Sequence, residues 1–223
     1  MDRSTTEIIC IIDRSGSMAS IRSDAIGGFN SFLDDQKAIP GPAALTLVQF
    51  DNTYEVIYDQ QPINEVAPLD NKTFVPRGTT ALLDAIGRTI DDVGHRLSKT
   101  PMKKRPSHVI VGIMTDGFEN ASTDYTREQV FRMITHQKTA YKWDFIFMAA
   151  NQDAIQEGGR LGISSRDTYH FRSDSVGTRR AYKHLSRSVR GMRLKSSALE
   201  EDLLEVKVTA PEKGRANRRK EKS

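Results

Sequence analysis

The chain has 223 residues, 37% hydrophobic and 28% charged, with 33 basic against 29 acidic side chains. At that length roughly 70% of the unfolded surface can be buried in one domain, and the composition excludes a collagen-like, disulfide-framework or wholly disordered chain. The single cysteine, Cys10, excludes an intramolecular disulfide and argues against a cysteine zinc site. The apolar run Ile8 to Ile12 is too short for a signal core and no run approaches the about 20 apolar residues of a membrane span, so the expected compartment is the cytoplasm.

Glu7 to Asp13 is a continuous apolar run that predicts a strand covered on both faces. The small polar turn "RSGSM" follows. From Ala19 to Lys37, Ile21, Ala25, Phe29, Phe32 and Leu33 recur at helical spacing, and "IPGP" at 39–42 ends that helix. Leu45 to Phe50 and Tyr54 to Tyr58 predict an antiparallel hairpin. Residues 59–79 carry Pro62, Pro68 and Pro76 without a clear period, a long loop of the kind that is often functional. Ala81 to Leu97 returns to helical spacing through Leu82, Ile86, Ile90, Val93 and Leu97.

A basic loop at 100–106 leads into the apolar strand His108 to Met114, and "TDGFENAS" stands at its carboxyl end. A helix is expected over 126–140 through Val130, Phe131, Ile134 and Gln137, then a strand from Trp143 to Ala150 and a helix near 153–160. Asp167 to Phe171 reads as a weak last strand. Val176, Leu185, Val189 and Met192 line a final helix, and the Ser197–Glu200 spacing predicts a further short capped turn. The single domain is expected to run over 1–208, with a core at 6–192 and an extension at 193–208. Residues 209–223 have almost no apolar content and are expected to be disordered.

Strands alternating with helices predict an α/β fold, a doubly wound and mostly parallel six-stranded sheet with one antiparallel edge strand and helices on both faces. Ligands gather at the carboxyl ends of such strands. Three segments there carry hard oxygen donors: Asp13-Arg14-Ser15-Gly16-Ser17, Gly78-Thr79-Thr80 and Thr115-Asp116-Gly117. Each alone is an ordinary helix cap or turn. Their joint occurrence, in order, after strands expected to be neighbours is what points to a site. An all-oxygen set suits Mg²⁺, Mn²⁺ or Ca²⁺, and one poor in carboxylates favours a small octahedral ion that keeps some of its waters.

These residues resemble a known family. "DRSGSM" is similar to the Asp-x-Ser-x-Ser signature of the von Willebrand factor A (VWA) domain, "GTTALLDAI" to its threonine segment and "IMTDGFENAS" to its aspartate segment. The likeness covers about residues 6–192 and is nearest to stand-alone bacterial and phage VWA proteins. The resemblance implies a Rossmann-like fold bearing a metal-ion-dependent adhesion site. Ser15, Ser17 and Thr80 would then touch the ion, with Asp13 and Asp116 acting mostly through water. The family has Gly-Gly-Thr where this chain has Gly78-Thr79-Thr80, so Thr79 is the alternative register. It further implies a non-catalytic, Mg²⁺-dependent module that captures an Asp or Glu carboxylate of a protein partner. The partners suggested by the likeness are an AAA+ ATPase or a stress-response or phage assembly. No membrane is expected, and the chain is expected to be a monomer.

Two other functions compete. A Mg²⁺-dependent phosphoryl-transfer hydrolase could use Asp13 as nucleophile, although Ser15 stands where a haloacid-dehalogenase-like enzyme would want a second carboxylate. The chain has no P-loop and no nucleophile elbow, and His95, His108, His136, His170 and His184 show no metal-ligand spacing. The other is weak nucleic-acid association through the basic C-terminal region. Residues 1–171 carry 18 basic and 22 acidic groups, and residues 172–223 carry 15 and 7. Arg179, Arg180, Lys183, Arg187, Arg190 and Arg193 recur at partly helical spacing, followed by Arg215, Arg218, Arg219 and Lys220 in the tail. Arg14, Arg77 and the Lys103-Lys104-Arg105 cluster are candidates for attracting an acidic partner to the metal face. Asn151 and Asp153 border the same edge, Asp153 as a helix cap, and Cys10 is expected to be an inert core thiol.

Overall fold

The structure, a computed structural model, describes residues 5–150 and 153–209, with side chains as far as Lys195. Six strands form one sheet in the order β3-β2-β1-β4-β5-β6. These are β1 (Thr6–Asp13), β2 (Ala43–Phe50), β3 (Tyr54–Pro62), β4 (His108–Thr115), β5 (Asp144–Ala149) and β6 (Thr168–His170). β1 pairs in parallel with both β2 and β4, β4 with β5 and β5 with β6, while β3 runs antiparallel along β2 at one edge. Five helices connect and cover them: α1 (Arg22–Lys37), α2 (Leu82–Lys99), α3 (Arg127–Ala140), α4 (Ala154–Arg160) and α5 (Ser175–Thr209).

The isoleucine-rich β1 has no polar face because helices cover both of its sides. Ile8, Cys10 and Ile12 join a core built with α1 and α5, whereas Ile9 and Ile11 join one built with α2, α3 and α4. Burial pushes the Cys10 thiol up to about 12, which keeps it protonated and inert. Among the described residues no helix is long and apolar enough to cross a membrane.

α1 and α5 pack closely because Gly28 leaves room for the Tyr182 ring; a Cβ there would lie 2.2 Å from Tyr182 Cδ2. Gly28→Ala should therefore lower the unfolding free energy by about 1–3 kcal/mol. Urea denaturation measures this, and an unchanged midpoint would show that the contact yields without strain.

Several boundaries differ from the sequence expectation. The first helix opens as a 3-10 turn, Gly16–Ile21, before α1 begins. β3 continues to Pro62 because register shifts around Leu47 carry the ladder past Tyr58, which shortens the expected loop. On α3, Val130 and Ile134 are buried but Phe131 is 41% exposed, and on α5 Val176 is also exposed. The predicted turn at Ser197–Glu200 is the uninterrupted continuation of α5, with no proline or glycine between Met192 and Thr209 to end it. Asn151 and residues 210–223, with their four singled-out cations, lie outside the described residues.

Candidate metal centre at the sheet switch point

The chain leaves β1 through α1 toward β2 on one side, and it returns through α2 to β4 on the other side of β1. The carboxyl ends of β1 and β4 therefore border a crevice from which the connections diverge, the place where open α/β sheets receive ligands. Asp13 ends β1 and Thr115 ends β4.

Asp13 is fully buried, and both carboxylate oxygens are occupied. Oδ1 accepts the Ser15 N–H at 2.6 Å, and Oδ2 accepts the Thr115 hydroxyl at 2.6 Å. The first bond folds 13–15 into a tight Asx turn. The Ser15 and Ser17 hydroxyls lie 3.0 Å apart, and Ser17 Oγ donates to Asp116 Oδ1 at 2.6 Å. Ser173, in the loop before α5, donates to the other Asp116 oxygen at 3.3 Å.

Thr80 arrives from the long loop. Val66, Leu69 and Phe74 bury that loop against the core. Gly78 then takes a positive φ of 67° and passes so close to Asn52 that a Cβ would lie 2.1 Å from its Oδ1. The Gly78 carbonyl accepts the Gly16 N–H, and the Arg14 carbonyl accepts the Arg77 N–H, so the first two segments are laced together. The third segment is tied to the second through Asn120, whose Oδ1 accepts the Thr80 N–H at 3.0 Å and whose N–H donates to the Thr80 carbonyl at 3.1 Å. Glu119 accepts the Leu83 N–H in the first turn of α2, and Asp84 accepts the backbone N–H groups of Thr123, Asp124 and Tyr125.

The outcome is convergence. A Cβ at Gly117 would lie 3.0 Å from Thr80 Oγ1, 3.6 Å from Ser17 Oγ and 3.8 Å from Asp13 Oδ2. A point at this glycine of the third segment is thus surrounded by side-chain oxygens of the other two, and Asp116 is tied to the first by its bond from Ser17. Thr80 is buried and faces it, whereas Thr79 is exposed.

These residues fit a small divalent cation. The 3.0 Å between the Ser15 and Ser17 hydroxyls is the edge of an octahedron with metal–oxygen bonds of about 2.1 Å. Burial, above all, pushes the Asp13 carboxyl up to about 6; the Thr115 and Ser15 hydrogen bonds pull it down, and the charge of Asp116 pushes it further up. Burial also raises Asp116, more than its bonds from Ser17 and Ser173 lower it. The protein thus gathers two carboxylates without neutralising them, which a cation would do. Among the described residues no three of His, Cys, Asp and Glu come together, so hydroxyls must complete the donor set.

Other residues singled out in the sequence lie elsewhere. Arg14 is buried: its Nε donates to Asp51 Oδ2 at 3.0 Å and it also pairs with Glu55, while Arg77 reaches the same Asp51 oxygen at 2.9 Å. Arg14 is therefore a structural cation behind the site and offers no exposed charge to a partner. Lys103, Lys104 and Arg105 precede the central strand β4 and so lie at the amino ends of the strands, opposite the converging oxygens. A cavity of about 800 Å³ opens there, lined by Arg105, His95, His136, Tyr141 and Trp143, remote from the converging oxygens. His108 Nε2 pairs with Asp144 at 2.5 Å, and His184 stacks on Tyr169. Asp153 stands at the N-cap position of α4 without a side-chain cap bond.

Asn120, Ser173 and the Thr115–Asp13 bond were not foreseen as parts of the site. Asn120 follows Asp116 by four residues in a motif already noticed, which was a usable signal. Ser173 has no local signal.

No protein-family model matches the sequence, and no curated protein matches it. Solved structures do. A proximal thread matrix protein 1 from the mussel byssus, described with a zinc-occupied MIDAS motif, superimposes with a TM-score of 0.58 at 14% identity, over 84% of this chain and 46% of that one. A von Willebrand factor type A protein from Catenulispora acidiphila gives 0.52 at 15% identity, over 82% and 42%. The ArnB paralog VWA2 from Sulfolobus acidocaldarius gives 0.51 at 15% identity, over 79% and 43%. The fold is the von Willebrand factor A fold. The chain spans less than half the length of the solved proteins it matches. The VWA sheet carries its converging oxygens at the ends of β1 and β4, where the three sequence segments meet.

Proposed function

We propose that this VWA module is a non-catalytic, cytoplasmic adaptor that holds Mg²⁺ through Ser15, Ser17 and Thr80, backed by Asp13 and Asp116, and captures a carboxylate of a protein partner. The observation that carries the reading is the gathering of hydroxyl and carboxylate oxygens of the first two segments around Gly117 of the third, with Asp116 bonded to Ser17. When bound, the ion supplies an electrophilic position, because neutral hydroxyls leave its charge under-compensated and an incoming Asp or Glu side chain can replace a water there.

The chain's own residues set the selectivity. Asp13 has both oxygens engaged and no exposure, so it orients the Ser15 turn and Thr115; a nucleophile would need a free, accessible oxygen. This favours binding over phosphoryl transfer. Ser17 is exposed and Asp116 partly so, and the donor set therefore opens toward solvent, where a protein surface can reach it.

Mg²⁺ titration by calorimetry tests the site, and affinity capture in Mg²⁺ against EDTA, followed by mass spectrometry, tests the function. Thr80→Ala should weaken Mg²⁺ binding by about tenfold or more and lose the captured partner, while Thr79→Ala should do neither. Equal titrations for the two variants would refute the donor assignment. Capture that persists in EDTA would refute metal-dependent recognition.

A further inference from the structure

We propose that the outward face of α5 is a binding surface for the phosphate backbone of a nucleic-acid duplex, independent of the metal site. Between Asp174 and Glu200 the sequence holds no acidic residue and seven Lys or Arg. The structure sorts these cations. Arg193 is buried and donates to the Gln36 carbonyl at 2.7 Å and the Gly41 carbonyl at 3.2 Å, fastening α5 to the end of α1. Arg179 bonds the Ser175 carbonyl and lies 4.0 Å from Asp24.

Arg180, Lys183, Arg187 and Arg190 are exposed. Their spacing of three, four and three residues aligns them on one helical stripe about 15 Å long. Among the described residues none of these four makes an ion pair, unlike Arg179, so they face solvent without a carboxylate partner there. Four like charges held in a row on a rigid helix repel one another, and a polyanion relieves that repulsion.

Three features choose the polyanion. Ala181, Tyr182, Leu185 and Val189 turn inward, so the stripe presents no stacking ring for an unpaired base. The exposed apolar residues in line with it, Val176 and Leu194, stand at its two ends, about 27 Å apart, too sparse to insert into a bilayer. A straight row of cations matches the regular charge of a duplex backbone, which carries one phosphate per about 3.4 Å of each strand.

The test is fluorescence anisotropy with a labelled 20-base-pair duplex of arbitrary sequence, in EDTA, across a salt series. Four phosphate contacts contribute about −3.6 to the slope of log K against log salt, or on the order of a 100-fold loss between 50 and 200 mM salt. The full chain with Arg180→Gln, Lys183→Gln, Arg187→Gln and Arg190→Gln together should lose that part of the slope. Lys103→Gln with Lys104→Gln, in the loop before β4, should leave it unchanged. All of these residues are exposed, and thermal melting confirms that the variants fold. An unchanged slope in the fourfold variant would overturn the proposal. Tighter binding of the wild type to phosphatidylserine vesicles or to polyglutamate than to duplex at equal salt would overturn it too, in favour of a membrane or an acidic protein.

Discussion

Asp13→Asn should make the chelator-stripped protein more stable and, at the same time, deaf to Mg²⁺. Asp13 is buried without a cationic partner among the described residues, and its carboxyl is pushed up to about 6. A carboxyl whose folded pKa lies above its unfolded value binds protons more tightly in the native state, so stability falls as pH rises from about 4 to above 6. A displacement of about two pK units corresponds to about 3 kcal/mol at most. Asparagine fits the same space. Its Oδ1 still accepts the Ser15 N–H, its Nδ2 donates to Thr115 Oγ1, and the threonine can turn its proton to the Gly117 carbonyl 3.2 Å away. In EDTA at pH 7.5 the variant should melt on the order of 5–10 °C higher than wild type. At pH 4 the two should coincide. Added Mg²⁺ should raise the wild-type melting temperature and leave the variant's where it was. A variant that melts lower in EDTA at pH 7.5, or that still responds to Mg²⁺, would show that Asp13 is not an under-compensated charge at a cation site.

The other large effect is expected behind the site. Asp51 is fully buried; its Oδ2 takes Arg14 and Arg77, and its Oδ1 takes the Thr53 N–H at 2.6 Å. Burial pushes its carboxyl up, but the bonds from Arg77 and Thr53 and the charge of Arg14 outweigh this and hold it below the usual range. Its stabilising contribution is thus present above about pH 4 and is lost on acidification through the lowered value. Asp51→Ala would leave Arg14 buried, with Glu55 as its remaining carboxylate and one guanidinium nitrogen already without a partner. The expected loss is about 3–5 kcal/mol. The same residue's carbonyl accepts the Ala81 N–H, so the Thr80 segment should loosen and Mg²⁺ affinity should fall as well. Combining Asp51→Leu with Arg14→Met removes both buried charges and should recover most of the stability. Chemical denaturation of the single and double variants decides this. A single variant within 1 kcal/mol of wild type would mean that the ion pair contributes nothing beyond the desolvation of its members.

How much of the site could be read in advance depended on how local its signals were. Asp13, Ser15 and Ser17 fall within five residues, and Asp116 directly follows a strand, so the motif marks them in the chain itself. In the sequence, Thr80 is favoured over Thr79 only by its alignment with the family motif, since neighbouring threonines carry the same local signal. The choice comes from the loop path, in which Gly78 turns with positive φ and Asn120 grips the Thr80 backbone from both sides. Arg14 shows the opposite case. An arginine beside a metal motif reads as an exposed lure for acids, but the β2–β3 hairpin brings Asp51 and Glu55 against it and consumes the charge. Pairings 37 and 41 residues apart in sequence have no short-range signature.

The order and kind of elements were set by the sequence, because apolar periodicity and strand-like isoleucine runs are properties of neighbouring residues and survive without knowledge of the fold. So was the charge asymmetry, a matter of counting. Which threonine faces the oxygen cluster, which arginines stay in water and which hydroxyl holds the second oxygen of Asp116 were settled by tertiary structure. Those outcomes rest on contacts between segments up to 157 residues apart, and their strength depends on burial, which comes into being only when the sheet and its two helical layers close around them.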